Sequence, residues 1–293
     1  MKSVRLKHIL HWTGSILSIA GVVFVAIKLS EYGGQIASRL TSANLLVLLG
    51  LAMVFATANL LLALAWKTLL QHFGSVVNFV WAMRTYGVSQ LAKYVPGNIF
   101  HLAGRQAIGQ AYGLPAWPLA KSSIWELGLI SATGATFGVL VLPHFVAVVS
   151  IPLATVAFVC LLVAVLTGLN KYVGSPIACA VGLYAAFLTI SGLIFTMLLT
   201  LLIAKYTVTP LQAISISGTF VVAWLVGMVT PGAPAGIGVR ELVLVVLLKG
   251  IVPEADLLLA VLLSRVVTVS GDFLFYLASM AIPAGLTPVK TDL

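Results

Sequence analysis

The sequence predicts an all-α polytopic membrane protein, with about six full spans and two re-entrant broken helix pairs arranged as an inverted repeat. Charged residues make up only 8% of the 293 residues and hydrophobic residues 61%, whereas soluble domains carry about 25% charged residues. Apolar runs of about 20 residues recur along the whole length, as membrane-spanning helices require. Two of these runs are interrupted by Pro-Gly, a pair that breaks a helix.

The predicted elements follow one order twice: two spans, a broken pair and a third span. The full spans are expected at residues 9–29, 44–64, 118–142, 145–168, 176–203 and 255–283. The broken pairs are expected at 78–112 and 211–248, with helix-breaking residues Pro96, Gly97, Pro231, Gly232, Gly236 and Gly238. We therefore predict a single integral membrane domain, 1–293, with pseudo-repeat halves 1–143 and 144–293.

The element order also predicts how the two halves are related. If each broken pair enters and leaves on one side, each half crosses the membrane three times. An odd number of crossings inverts the second half relative to the first. Inverted repeats with paired interruptions are typical of transporters, whose site lies near the membrane midplane where the breaks meet. Both breaks also carry an Arg nine residues after the Pro of a Pro-Gly, namely Arg105 and Arg240.

The formal net charge of +9 is interpreted as a topology signal and not as a nucleic-acid surface, because most cations lie at predicted helix ends. The positive-inside rule then predicts that both termini are cytoplasmic. Trp66 and Lys67 are expected to anchor the second span at the interface. The predicted cytoplasmic set is Lys2, Arg5, Lys7, Lys67, Arg84, Lys121, Lys171 and Lys290, and the outer set is Lys28, Arg39, Lys205 and Lys249.

Ionisable residues at membrane depth are costly and are functional candidates by default. The predicted spans and breaks contain four cations and three anions of this kind. They can pair extensively, and one cation would remain for an anionic ligand. These residues are Lys93, Arg105, Arg240, Arg265, Glu126, Glu241 and Asp272.

The first break is the primary candidate for binding an anion. A half-helix that begins near Asn98 would point its free amides and its positive dipole end into the protein. Arg105 would add a bidentate clamp for a phosphate or carboxylate, with Tyr94, Asn98 and His101 as further hydrogen-bond donors. In the structural alternative, Lys93 reaches an interface and Arg105 pairs with a buried acid.

Three further residues are candidates for proton transfer, and two of them also have a structural interpretation. His101 is either a proton relay or, more commonly, a satisfied donor. Glu126 is either a proton carrier or the partner of Arg105 in a structural ion pair. Asp272 is a second candidate proton carrier.

The second break and the last span provide the other candidates. Small residues at the break let backbones approach closely, and Glu241 would cap the half-helix that follows; its alternative partner is Arg240. The last span carries a polar stripe at helical spacing, from which Arg265 would reach Glu241 or the substrate. The stripe consists of Ser264, Arg265, Thr268, Asp272 and Tyr276.

Enzyme motifs are lacking in the sequence. It has no plausible Ser-His-Asp set, no HExxH, no Walker loop and no metal-ligand cluster. We expect neither an enzyme nor a protein with a cofactor or metal.

The motifs Lys93-Tyr94-Val95-Pro96-Gly97-Asn98-Ile99-Phe100-His101 with Gly104-Arg105, and Ala235-Gly236-Ile237-Gly238-Val239-Arg240-Glu241, resemble the flippase-like family. This family comprises the transmembrane region of lysylphosphatidylglycerol synthase (multiple peptide resistance factor) and its stand-alone relatives. The resemblance covers essentially the whole chain and implies a bacterial inner-membrane protein that moves a lipid between leaflets. The family often has Gly-Gly where this chain has Ala235-Gly236. The 293 residues include no soluble aminoacyltransferase domain, so synthase activity is not expected of them.

The expected function is therefore translocation of an anionic phospholipid or a polyprenyl-linked headgroup between the leaflets. Two alternatives remain open: a non-transporting accessory protein of a lipid or cell-envelope enzyme, and a small-solute transporter. Expected partners are membrane lipids, with a second copy of the chain or a lipid-modifying enzyme as further possibilities.

Overall fold

The computed structural model describes residues 42–94, 100–202, 208–230, 236 and 238–283. All regular secondary structure in these ranges is helical. The predicted span 9–29 lies outside the described residues. The same holds for Pro96, Gly97, Asn98, Pro231 and Gly232.

The described chain forms nine α-helices. They are α1 (Ser42–His72), α2 (Phe79–Gln90), α3 (Phe100–Ala111), α4 (Ala116–Thr136), α5 (Ile151–Tyr172), α6 (Ser175–Leu202), α7 (Pro210–Val229), α8 (Val239–Leu247) and α9 (Glu254–Met280). Two 3₁₀ stretches prolong α2 and α4, at Leu91–Tyr94 and Phe137–His144.

The protein is a multi-pass membrane protein. Six of the described helices are long and apolar enough to cross a bilayer: α1, α4 with its 3₁₀ extension, α5, α6, α7 and α9. Five of these match predicted full spans. The sixth, α7, was predicted as one arm of a broken pair, but its 20 residues rise about 30 Å, enough to span by themselves.

Local capping explains several helix boundaries. The Asn78 side chain accepts a hydrogen bond from Trp81 N at 2.7 Å and starts α2. Ser150 caps α5 in the same way, so that helix begins six residues later than predicted. Thr209 and Gln212 form a capping box at the start of α7, which satisfies amides that would otherwise lack partners.

The two broken pairs differ in the lengths of their helical arms. In the first pair α2 and α3 have 12 residues each, about 18 Å apiece, which is too short to span. In the second pair α7 has 20 residues and α8 has nine. In both pairs the two arms pack against each other.

Helices α1 and α6 pack along each other in the centre of the bundle, and α9 packs on both. The outer elements repeat one pattern: α9 packs on α2, and the 3₁₀ end of α4 packs on α7. Helix α5 lies at the periphery, where Ala154 is its one buried residue. This face of the bundle is therefore apolar and exposed, as a lipid-facing surface requires.

The prediction that Trp66 anchors a helix at the interface is wrong. Trp66 is 0% exposed and its indole Nε1 donates to Ser122 Oγ at 3.0 Å. Its ring stacks on Trp81 with centroids 5.9 Å apart. An indole in a core needs such a partner for its N–H, and Ser122 on α4 supplies it.

Candidate functional site

The described part of the first break is organised around Asp272 of α9. This carboxylate is 0% exposed. Its Oδ2 accepts from Lys93 Nζ at 2.7 Å and from the Tyr94 hydroxyl. Its Oδ1 accepts from Asn59 Nδ2 at 3.1 Å and more weakly from Gln90 Nε2 at 3.5 Å. One buried acid therefore joins α9 to α1 and to the chain that enters the break.

Arg105 lies in the second turn of α3 and pairs with Glu126 of α4. Both side chains are buried, and Arg105 is only 1% exposed. The second Glu126 oxygen accepts from the Tyr86 hydroxyl at 2.8 Å. The guanidinium also lies over the Tyr86 ring, 4.3 Å from its centroid. The structure thus forms the ion pair of the structural alternative, and Glu126 has a partner on each oxygen.

At the second break, Glu241 is the organising acid. Its Oε2 accepts from Gly238 N at 2.7 Å and caps α8. Its Oε1 accepts from Arg265 Nε at 3.0 Å and from Nη2 at 2.9 Å. Arg265 Nη2 also donates to the Gly236 carbonyl at 3.1 Å. The predicted cap is confirmed, and the acid's partner is Arg265 and not its neighbour Arg240.

Close backbone approach at this break is also confirmed. Gly236 has φ +67° and lies directly against Gly227 of α7. A Cβ on Gly236 would lie 2.8 Å from the Gly227 Cα. Neither position accommodates a side chain without movement of the backbone.

Arg240 is the remaining cation of the predicted set. It is 5% exposed, and its guanidinium lies over the Phe220 ring, 4.3 Å from the centroid. No carboxylate of the described residues forms an ion pair with it. Its Nε is buried without a hydrogen-bond partner there. A buried, uncompensated charge is costly, so Arg240 is the group in this interior that most needs an anion.

The described flanks of both breaks meet along α9. Asp272 contacts the first break and Arg265 the second, and seven residues of helix separate them by about 10 Å. One helix, α9, therefore contacts residues at both breaks.

Two predicted residues take no part in these contacts. Tyr276 is partly buried, and its ring stacks on the exposed Phe273 with centroids 6.4 Å apart. His101 Nδ1 is buried without a hydrogen-bond partner in the described chain, so the expected satisfied donor is not formed at this nitrogen. No cluster of metal-ligating side chains occurs among the described residues.

Several contributing residues were missed by sequence reasoning. Asn59 and Gln90 hold Asp272, and a lone Asn in the apolar run of α1 was an available signal. Tyr86 and Phe220, which lie under the two arginines, carry no such signal because buried aromatics are ordinary core residues.

The fold and this site define a multi-pass membrane protein with a charge-paired interior at two helix breaks. No family model, curated protein or solved structure matches the chain. The resemblance to the flippase-like family therefore stays a prediction.

Proposed function

We propose that this protein is a transporter, not an enzyme, and that it moves an anionic lipid headgroup between the leaflets of the bacterial inner membrane. The observation that carries this proposal is Arg240, a buried cation with no acid partner in the described chain. It lies at the start of α8, where the helix dipole also favours negative charge. An anionic headgroup would neutralise it while the acyl or prenyl tails remain in the bilayer.

Contacts at the ends of the bundle support two broken pairs that begin at opposite sides of the membrane. The start of α2 meets the end of α9, where Arg84 Nε donates to the Ile282 carbonyl at 3.0 Å. The start of α7 meets the end of the α4 extension, where Ser215 Oγ donates to the Leu140 carbonyl at 2.8 Å. Helix α9 begins beside α8 and ends at the first meeting point, whereas α4 begins beside α3 and its extension ends at the second. These two meeting points therefore lie at opposite ends of the bundle. An inverted repeat of this kind permits alternating access by rocking.

The distribution of charge supports cytoplasmic termini. The end of the bundle at which the first pair opens carries Lys67, Arg84, Lys121 and Lys171 among the described residues. The opposite end carries Lys249 with Glu254 and Asp256. The positive-inside rule makes the first end cytoplasmic.

The test is a translocation assay in proteoliposomes of the whole chain. Phosphatidylglycerol with a fluorescent acyl chain is reconstituted with wild type, Arg240→Gln or Lys249→Gln, and a membrane-impermeant quencher reports its arrival in the outer leaflet. We expect translocation by wild type and Lys249→Gln and its loss in Arg240→Gln. Lys249 is the matched control because it is an exposed cation at the end of α8.

Two outcomes would count against the proposal. If wild type translocates the labelled lipid no faster than protein-free liposomes do, the result favours the alternative of a non-transporting accessory protein. If Arg240→Gln moves lipid as fast as wild type, Arg240 is not the group that holds the headgroup.

A further inference from the structure

The buried and partly buried charged residues around the two breaks carry one positive charge in excess among the described residues. The cations are Lys93, Arg105, Arg240 and Arg265, and the anions are Glu126, Glu241 and Asp272. Three cations are neutralised in ion pairs. All other described Lys, Arg, Asp and Glu residues lie toward the ends of the bundle, so they do not alter this balance at the breaks.

The excess charge has a single location, because the three ion pairs account for every one of these four cations except Arg240. The charge of Arg105 is compensated by Glu126, although its Nε and Nη2 also lack hydrogen-bond partners in the described chain. Lys93 is held by Asp272, and Arg265 by Glu241 and Gly236. A ligand that compensated any of these three cations would have to displace a carboxylate. Arg240 offers its charge and a planar guanidinium with at least one unused N–H.

We infer that the Arg240 site is matched to a headgroup with one net negative charge, such as a phosphodiester, and discriminates against zwitterionic and doubly charged headgroups. This inference rests on the proposed function and adds the substrate class. A monoanion brings the interior from one positive charge to zero. A zwitterion leaves the positive charge in place, and a dianion leaves a negative one. Either residual charge is penalised at membrane depth.

The geometry also favours an oxyanion. Guanidinium groups bind phosphate and carboxylate oxygens with two parallel N–H donors. The face of the Arg240 guanidinium is occupied by Phe220, so a ligand approaches along the edge, where the N–H groups point. A compact phosphodiester, flanked on each side by ester oxygens, suits such an edge-on contact.

The experiment measures binding separately from transport. Purified full-length protein is titrated in detergent, with native mass spectrometry as the readout, against three lipids with identical dioleoyl tails. Phosphatidylglycerol carries one negative charge, phosphatidylcholine is net neutral, and diacylglycerol pyrophosphate carries two or more. We expect phosphatidylglycerol to bind on the order of tenfold more tightly than the other two, since snorkelling and water defects relieve part of the full charge penalty.

Two substitutions test whether the charge at residue 240 sets the preference. Arg240→Gln removes the excess charge, so the preference for phosphatidylglycerol over phosphatidylcholine should disappear. Arg240→Lys keeps the charge but not the planar fork, so the preference should persist with weaker binding. Lys249→Gln should bind like wild type.

Three results would overturn the inference: equal or tighter binding of the pyrophosphate lipid by wild type, no preference over phosphatidylcholine in wild type, or an unchanged preference in Arg240→Gln. A soluble competitor tests the source of the ligand. Glycerophosphoglycerol should fail to displace the lipid, and displacement at equal concentration would overturn the assignment to a lipid.

The inference and the proposed function fail in different ways. Selective binding of phosphatidylglycerol without any translocation in proteoliposomes contradicts the function and leaves the charge match intact. Translocation that favours doubly charged headgroups contradicts the charge match and leaves the function intact.

Discussion

The two helix breaks place equivalent arginines in similar settings with opposite outcomes. Arg105 and Arg240 each lie nine residues after the Pro of a Pro-Gly, and each guanidinium lies 4.3 Å from the centroid of an aromatic ring on the preceding arm. Arg105 is paired with Glu126. Arg240 has no acid partner in the described chain, because the adjacent Glu241 turns to Arg265 and to the cap of α8.

This difference shows that a buried arginine at a break is not by itself a ligand site. At each break, one ion pair joins the second arm of the broken pair to the helix that follows: Arg105–Glu126 at the first break and Glu241–Arg265 at the second. At the first break the arm supplies the cation, and at the second it supplies the anion. The arginine after the first break therefore belongs to the pair, whereas the arginine after the second break, Arg240, does not.

The largest expected effect is on stability at the first break. Arg105→Leu leaves Glu126 buried without its cation, and removal of one partner from a buried pair costs about 3–5 kcal/mol. We expect a loss of this size in the free energy of unfolding in detergent, followed by tryptophan fluorescence. The double substitution Arg105→Leu with Glu126→Leu should recover most of it. A single variant as stable as wild type would contradict the assignment of Arg105 to structure.

A smaller loss is expected at the corresponding pair of the second half. Glu241→Gln removes the carboxylate charge that faces Arg265 but keeps an amide oxygen to cap Gly238. Because the Arg265 side chain is 17% exposed, we expect about 2–3 kcal/mol, less than for a fully enclosed pair. The control is Glu254→Gln at the start of α9, where a surface change is expected to stay within about 0.5 kcal/mol. Equal losses of unfolding free energy in Glu241→Gln and Glu254→Gln would contradict a structural role for the Glu241–Arg265 pair.

The close approach at the second break gives a third effect. Gly236→Ala combines a left-handed φ with a Cβ 2.8 Å from the Gly227 Cα, and we expect a loss of about 2–3 kcal/mol. Gly250→Ala is the matched control, because its φ is +79° but nothing lies within 4 Å of the added Cβ; it should cost about 1 kcal/mol. Similar unfolding free energies for both variants would mean that the contact with Gly227 adds nothing.

The sequence was sufficient to predict most of the helices, because long apolar runs have few alternatives. The unequal arms of the second broken pair were not predicted, because a Pro-Gly break marks where a helix ends but does not say how long the arm before it is. The sequence was sufficient to predict which charged residues lie in the interior, but not which of them form ion pairs with each other. Glu241 has cations at positions 240 and 265, and only packing of α8 against α9 decides between them.

The residues that distinguish the two breaks were not predictable for the same reason. Arg105 had the stronger sequence case for binding an anion, since it follows the break with the polar residues Tyr94 and His101 nearby. The structure gives Arg105 an acid from α4, and Tyr94 an acid from α9. These contacts join residues 21 and 178 positions apart, beyond what spacing along one helix can show.

The smallest expected effect on stability is at Arg240. Arg240→Gln removes a buried charge that has no acid partner in the described chain, so no acid is left without its cation. The loss of contact with the Phe220 ring and the gain from removing an unpaired charge oppose each other, and we expect a change within about 0.5 kcal/mol. The same fluorescence-detected unfolding measurement checks it, with Arg105→Gln as the matched variant at the other break. A loss as large as for Arg105→Gln would mean that Arg240 also has a structural partner, and the two breaks would then be equivalent.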